Sequence, residues 1–595
     1  MSDLPRWNLA PIFPSLESDE YRAGRIEYEE SLATLELIFA ENQIGRREIA
    51  ATENPAALGE LLTKILEVSN ELLKRGETLG AFLHALITTD SYNAAAAKEN
   101  SALELLGTRR QQLEVRLKGW LGSLAALIPE LVESTPLLAE HRFFLTFTAE
   151  QSKYLMSESL EALAAELALD SGTAWGRLQG TVTSQLTVNF DGQELPISMV
   201  RNLSFDPDPA VRERAYHVEK AGWKSISATV AACLNGVKGT ALTLNKQRGR
   251  ASVLDLSLEQ NRIDRATLDA LLGSIHEFLP EFRRYFSSKA KKLGKPVLPW
   301  WDLFAPIGHA EQRYNWDEAR RFIVEKFCNF SPELGTFAER NFAEGWIDAE
   351  PRVGKRGGAY CMSVPGIDES RILANYDGSF EQLMTLAHEL GHAWHNECQR
   401  GLPMLRRGTP STLAETASIF CETLMADSAL ATATPAEQLM ILEAQLANAA
   451  QVCVDISSRY LFETAVLERR PQGELSAEEF TDILHAAQRE TYGEAVDPAT
   501  YHPYMWLWKG HYYSHDENFY NFPYAFGHLF SLGLYAIFQK EGTAFVPRYN
   551  ALLRDTAQDM AAPLAERFGL NIRERDFWRG SLRVVARMVD RYETL

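Results

Sequence analysis

At 595 residues the chain is too long for one small core, and 46% hydrophobic with 24% charged residues is ordinary for a soluble globular protein. Its 80 acidic against 60 basic side chains leave a formal charge of −20, which disfavours a nucleic-acid binder and leaves solubility as the main consequence. Six cysteines with no C-x-x-C pair point to reduced thiols of a cytoplasmic protein; no apolar run suits a bilayer, and the opening MSDLPRWNLAPIF lacks a secretory pattern.

The first part reads as helix. LGELLTKILEVSNELLKRGETLGAFLHALI and ALELLGTRRQQLEVRLKGWLGSLAALI repeat leucine and isoleucine at three- and four-residue steps. QLTVNFDGQELPIS then alternates Leu186, Val188 and Phe190, turns at Asp191-Gly192, and continues through Leu195 and Ile197 as a hairpin. In SFDPDPAVRERA, Asp208 is placed to cap a helix starting at Pro209, and the main domain boundary falls just before this segment. After a further helical stretch, GKPVLPWWDLFAPIG must be irregular. GGAYCMSVP and SRILANYDGS read as two short strands, and from Gln382 onward nearly everything is helical again.

The segment TLAHELGHAWHNE carries the chemistry. Ser379 and Gln382 have capping-box spacing, Glu381 sits in the first turn, and Gly401 and Pro403 stop the helix near Arg400. His388 and His392 are then one turn apart on one face, able to meet a single zinc ion. Glu389 lies beside the pair and is free to act as a general base, the H-E-x-x-H pattern. His395 is one turn beyond His392 and about 10 Å from His388, so one metal does not hold both ends. It reads as a packing or supporting residue. The longer histidine motif that needs glycine at 395 and histidine at 398 is absent, since His395 and Cys398 stand there.

A third ligand must come from elsewhere. TPSTLAETASIFCETLMADSAL starts a helix near Pro410 and offers Glu415 and, two turns later on the same face, Glu422. Spacing favours Glu415 and leaves Glu422 open; the one that does not bind metal would orient a ligating histidine. Thr412 and Glu415 also have capping-box spacing.

HELGHAWH followed by LAETASIFCE resembles the oligoendopeptidase F branch of the thimet oligopeptidase family. KRGGAYC, SRILANYDGS, WWDLFAP and HYYSHDENFYNFPYAFG extend the resemblance over about residues 110 to 590. It implies a mainly α, two-lobed helical metallopeptidase with a deep substrate channel and a small β-sheet next to the zinc helix. It divides the chain into an N-terminal helical region at 1–110, an oligoendopeptidase N-terminal domain at 111–200 and a catalytic domain at 201–595. It implies one Zn2+ per chain on His388, His392 and Glu415, with Glu422 and His395 as neighbours. It also implies catalytic roles for His511 and for Tyr520 and Tyr524, although Phe522 stands where many relatives carry tyrosine.

Chemically, a tyrosine hydroxyl there can donate to an oxyanion. The run Gly357, Gly358, Ala359 and Tyr360 has its own reading: glycines permit close backbone approach, and an edge strand can bind an extended peptide. The expected function is a zinc endopeptidase acting on short oligopeptides, with no nucleic-acid or membrane partner and an oligomeric state compatible with a monomer. One rival is a non-hydrolytic peptide-binding protein on the same scaffold, against which the intact Glu389 stands. Another is a di-iron carboxylate protein, for which Asp482-x-x-His485 would supply the second motif. His511-x-x-x-His515 has metal spacing but no third ligand.

Overall fold

The computed structural model of the chain describes residues 4–49, 54–308 and 313–595, and these are helical nearly throughout. Three long helices open the chain: α1 (Asp19–Glu41), α2 (Pro55–Thr89) and α3 (Ala94–Ser123). Each starts on a polar side chain that satisfies a free backbone N–H: Ser18 accepts from Tyr21, Asn54 from Ala56, Asn93 from Ala96. The helical repeat of apolar residues turns Leu32, Leu62, Leu66 and Leu83 inward, and their core continues through Trp120 to Leu145. This bundle is one lobe.

The hairpin forms as β1 (Thr187–Phe190) and β2 (Gln193–Pro196), paired antiparallel. Asp191 and Gly192 join them with φ of 50° and 87°, the left-handed pair that a tight hairpin turn demands. The Asp208 carboxylate accepts the Ala210 N–H and opens α4 (Pro209–Gln247), with proline in its first turn. Trp223 and Leu234 of α4 share a core with Phe462, Phe480 and Trp506.

A small sheet links the lobes. Its order is β3 (Ile347–Asp348), β5 (Glu369–Leu373), β4 (Tyr360–Val364), so β4 is an edge strand, antiparallel to β5. Val364 belongs to the N-terminal core and Ile372 to the C-terminal one. The glycine pair expected at the start of this strand lies ahead of it, in a loop. Gly358 has φ of 79°, and the Asn375 amide ties the carbonyls of Arg356 and Gly358 into that loop at 3.0 and 2.9 Å.

The C-terminal lobe is built on α5 (Phe380–Cys398), α6 (Thr416–Thr432), α7 (Ile456–Arg469) and α8 (Phe522–Glu541). Ser379 caps α5 by accepting the Gln382 N–H at 3.2 Å. The reciprocal half of the expected capping box is missing, because the Ser379 N–H already donates to Asp377 at 2.8 Å. The second expected box fails too: Thr412 is fully buried and its hydroxyl donates to the Asn261 carbonyl at 2.7 Å. The cysteines are all free. Contrary to the reading of the sequence, the joined helical run Pro435–Gln472 is long and apolar enough to cross a membrane; 56% of its most apolar window is buried inside the protein, as in a core helix.

Candidate metal centre

One helix and one break between two others assemble the donor set. His388 and His392 project from mid-α5 with rings 4.9 Å apart and nearly perpendicular. Glu415 lies at the junction between the short helix Ser411–Ala414 and α6. Its Oε2 is 3.3 Å from His388 Nε2 and 3.4 Å from His392 Nε2. Four ligands at 2.0–2.1 Å in a tetrahedron stand about 3.3–3.4 Å from one another. The donor spacing therefore fits a single ion of zinc type. Among the described residues these three are the group of His, Cys, Asp or Glu side chains close enough to share a metal.

Two glycines let the backbones come this close. A Cβ on Gly391, between the histidines, would lie 2.6 Å from the Ala417 carbonyl oxygen and 2.6 Å from Ser418 Cα. A Cβ on Gly527 of α8 would lie 3.2 Å from Glu415 Cβ. The glycine of the HELGH segment is thus a packing requirement of α5 against α6.

Carboxylates surround the first histidine. Glu422 accepts from His388 Nδ1 at 3.3 Å, the contact that fixes which ring nitrogen is free to ligate. Burial works against a charged His388 ring, but hydrogen bonds and charge from Glu415 and Glu422 overcome it and hold its pKa up at about 10. Burial likewise opposes ionisation of Glu415, and the two histidines outweigh it, keeping that carboxyl well below its usual range. Glu389 is 6% exposed, and its Oε2 has no hydrogen-bond partner among the described residues. Burial raises its pKa, with His388 and His392 pulling the other way. A buried, unpartnered carboxylate oxygen beside a donor set is the arrangement expected of a proton-transfer group.

The donors line a cleft of about 440 Å³ whose walls include Ala359, Tyr360, Cys361, Arg407 and Thr409. Gly357 and Gly358 lie in the loop before β4, outside this lining. Tyr360 borders the cleft, but its hydroxyl shares a 2.6 Å hydrogen bond with Thr88 of α2. His395 also lines this cleft, but its ring nitrogen is engaged away from the donors. Its Nε2 meets the Leu553 carbonyl at 3.1 Å and Thr556 Oγ1 at 2.9 Å, which ties α5 to the helix Val546–Asp555. Burial, helped by the His392 charge, pushes its pKa down to about 4, so the ring is neutral.

The C-terminal segment brings His511, Tyr520 and Tyr524 together. Ring centroids are 5.0 Å apart for His511 and Tyr520, 6.3 Å for His511 and Tyr524, and 5.7 Å for the tyrosines. Tyr524 is one turn before Gly527 and so near Glu415; burial first, then Tyr520 and the Glu415 charge, raises its phenol to about 12. Phe522 is fully buried in the core. Phe519 holds a left-handed φ of 55°, a strained conformation for a bulky residue. The turn around it is anchored by residues the sequence did not single out. Lys238 donates to Glu463 at 2.6 Å and to Asn518 at 2.7 Å, and Asn521 donates to the other Glu463 oxygen at 3.1 Å. His515, Asp482 and His485 are not part of the metal-spaced group.

Comparison with known proteins adds the following. A family model described as Peptidase family M3 matches residues 203–582, and one described as Oligopeptidase F matches residues 125–187. The chain is 26% identical over 391 residues to the chromosomal oligoendopeptidase F of Lactococcus lactis subsp. cremoris, covering 64% of each protein. The matched stretch therefore spans less than two thirds of that relative's length. A chain from Chlamydophila abortus, solved as a candidate peptidase, superposes with a TM-score of 0.83 at 20% identity, covering 99% of this chain and 98% of that one. The structure of oligoendopeptidase-F from Enterococcus faecium gives a TM-score of 0.68 at 17% identity, covering 97% of this chain and 98% of that one. These two likenesses concern the fold.

Proposed function

This chain belongs to peptidase family M3, and on that premise we propose that it is a zinc-dependent endopeptidase that hydrolyses internal bonds of short, unstructured oligopeptides. The observation that carries the reading is Glu389: an unpartnered buried carboxylate oxygen next to His388, His392 and Glu415, whose spacing suits one tetrahedral ion. Zinc held by those three residues would supply Lewis acidity, polarising the scissile carbonyl and acidifying the attacking water. Glu389 takes the water's proton at Oε2 and returns it to the leaving amine. Glu422 keeps His388 in one tautomer and one orientation. Tyr524, with Tyr520 and His511 behind it, presents its hydroxyl to the oxygen that gains charge. The edge of β4 offers main-chain hydrogen bonds to an extended peptide, which gives binding with little sequence preference. A site bordered by the sheet that joins the two hydrophobic cores supports selection of peptides over folded proteins. The division at 110 and 200, a cytoplasmic location supported by the free cysteines, and a monomer belong to the same proposal.

The test is Glu389→Gln. Metal content by elemental analysis stays at one zinc per chain, while cleavage of a mixed peptide library, read by mass spectrometry, falls by about 10²–10⁴-fold, the usual weight of a general base. Cleavage by this variant at the wild-type rate would remove Glu389 from the mechanism. Cleavage unaffected by a chelator would remove the metal.

A further inference from the structure

The ring of His511 makes no hydrogen bond among the described residues; it packs on other rings, with Tyr520 at 5.0 Å and Tyr524 at 6.3 Å. Such packing does not fix an angle as a hydrogen bond does. The place of this side chain is therefore inherited from its backbone, a short 3-10 helix at Gly510–Tyr513. What holds that backbone holds the ring.

One helix holds it from both sides. Gly172–Ser184 belongs to the stretch matched by the Oligopeptidase F model and lies outside the Peptidase family M3 match. Three of its residues, spaced by four and three along one helical face, meet the segment 507–515. Gln179 is 5% exposed, and its amide donates to the Leu507 carbonyl at 2.6 Å, ahead of His511 in the chain. A Cβ on Gly176 would stand 2.5 Å from the Tyr513 carbonyl oxygen, just after His511. A Cβ on Gly172 would stand 2.5 Å from His515 Cγ, one step further on. The seat continues into the turn that carries Tyr520, because the His515 carbonyl accepts from the Asn518 amide at 3.3 Å.

The helix is itself pinned to α4, where a Cβ on Gly236 would stand 2.4 Å from Trp175 Cδ1. Gly180, one turn beyond Gly176, has nothing within 4 Å of where its Cβ would be, so the close contact ends there. Ordinary contact starts near 3.4 Å, so a methyl group at Gly176 forces the Tyr513 carbonyl or the helix to give way by about 0.9 Å. A misplacement of that size at a reacting group costs up to about 10²-fold in rate.

We propose that the helix Gly172–Ser184 is the positioning element for His511, with Gln179 and Gly176 as the residues that set where its ring stands beside Tyr520 and Tyr524. The inference rests on the peptidase reading above and on the catalytic part it gives His511. A hydrogen bond to one main-chain carbonyl and direct approach to another fix the path of the backbone, whatever rotamer the ring then takes. The stretch 125–187 thereby serves the reaction itself, although it carries none of the groups that touch the metal or the substrate.

The experiment compares Gly176→Ala, Gln179→Leu and Gly180→Ala. Peptide cleavage and zinc content are measured on each, and amide hydrogen exchange is followed at residues 507–515. Gly176→Ala and Gln179→Leu lower kcat by about 10–10²-fold, with KM within about twofold of wild type and one zinc per chain retained. Exchange at 507–515 rises in both. Gly180→Ala keeps the wild-type values throughout. Gly172→Ala also loses turnover, and His515→Ala in the same chain restores it by removing the ring in the way. In a His511→Ala background, neither Gly176→Ala nor Gln179→Leu lowers kcat further. Wild-type kcat in Gln179→Leu, or a loss that persists at full size without His511, overturns the proposal. Gln179→Leu and the Gly172 and His515 pair decide the matter even where Gly176→Ala does not fold. If His511→Ala turns over at the wild-type rate, or if the wild type cleaves no peptide, the reading of the site fails instead; exchange at 507–515 then decides the seat by itself, no rise in Gln179→Leu rejecting it.

Discussion

Replacing Lys238 by methionine tests whether one buried ion pair holds the turn that aims Tyr520. Lys238 and Glu463 are each 1% exposed. The ammonium donates to Glu463 at 2.6 Å and to Asn518 at 2.7 Å. Methionine keeps the length of the side chain and removes the charge. Glu463 then retains only the Asn521 amide at 3.1 Å and becomes a buried anion without a counter-charge. Breaking a buried pair in this way costs about 3–5 kcal/mol, well above the ~1 kcal/mol of a neutral hydrogen bond. Asn518 loses its anchor at the same time. Its neighbour Phe519 holds φ of 55°, a conformation that costs on the order of 1–3 kcal/mol and persists only where its surroundings impose it. The turn should relax and carry Tyr520 away from His511. The expected result is a lower urea midpoint, and a kcat for peptide cleavage that falls more than KM changes. Adding Glu463→Gln removes the stranded charge, so the double variant regains most of the stability but not the turnover. The reasoning fails if Lys238→Met matches the wild type in both assays, or if the two substitutions simply add.

Three further outcomes follow from the centre itself. Glu422→Ala, which frees His388 Nδ1, lowers zinc affinity by about 10–100-fold, read by competition with a chromophoric chelator, while cleavage returns at saturating zinc. Gly391→Ala puts a methyl group 2.6 Å from two backbone atoms of α6 with no flexible side chain to give way. It should lower stability by about 1–3 kcal/mol or more and reduce the zinc bound per chain, because Glu415 moves with α6; a variant with full zinc content and unchanged melting would contradict this packing. Tyr524→Phe lowers kcat by about 10²-fold, the weight of one oxyanion donor, with zinc content unchanged in the same preparation; wild-type kcat in that variant would remove the hydroxyl from the mechanism.

What was legible in the sequence divides by the range of the contact involved. His388, Glu389 and His392 lie within one helix, where 3.6 residues per turn fixes their relation before any tertiary structure forms. The cap at Ser379 and the start of α4 at Asp208 are equally local. Spacing favoured Glu415 without excluding Glu422, and the structure gives the reason: both reach the same ring, one at Nε2 and the other at Nδ1 of His388. His395 shares the helical face of the pair, yet its partners Leu553 and Thr556 are far along the chain, so no count of residues could place it. The β4 boundary was misplaced because two glycines read as permissive backbone, whereas Asn375 draws Gly358 into a loop. The Lys238, Glu463 and Asn518 anchor takes one residue from each of three distant segments, and the seat of His511 joins Gln179 to Leu507 in the same way. A periodic pattern can signal that a helix has a buried face; it cannot say which polar residue on that face will find a partner across the core. A buried lysine in an otherwise apolar helix is the one local sign available, because its charge must be paired somewhere if the chain is to fold. Such residues are where a search for function in a helical protein of this size has most to gain from coordinates.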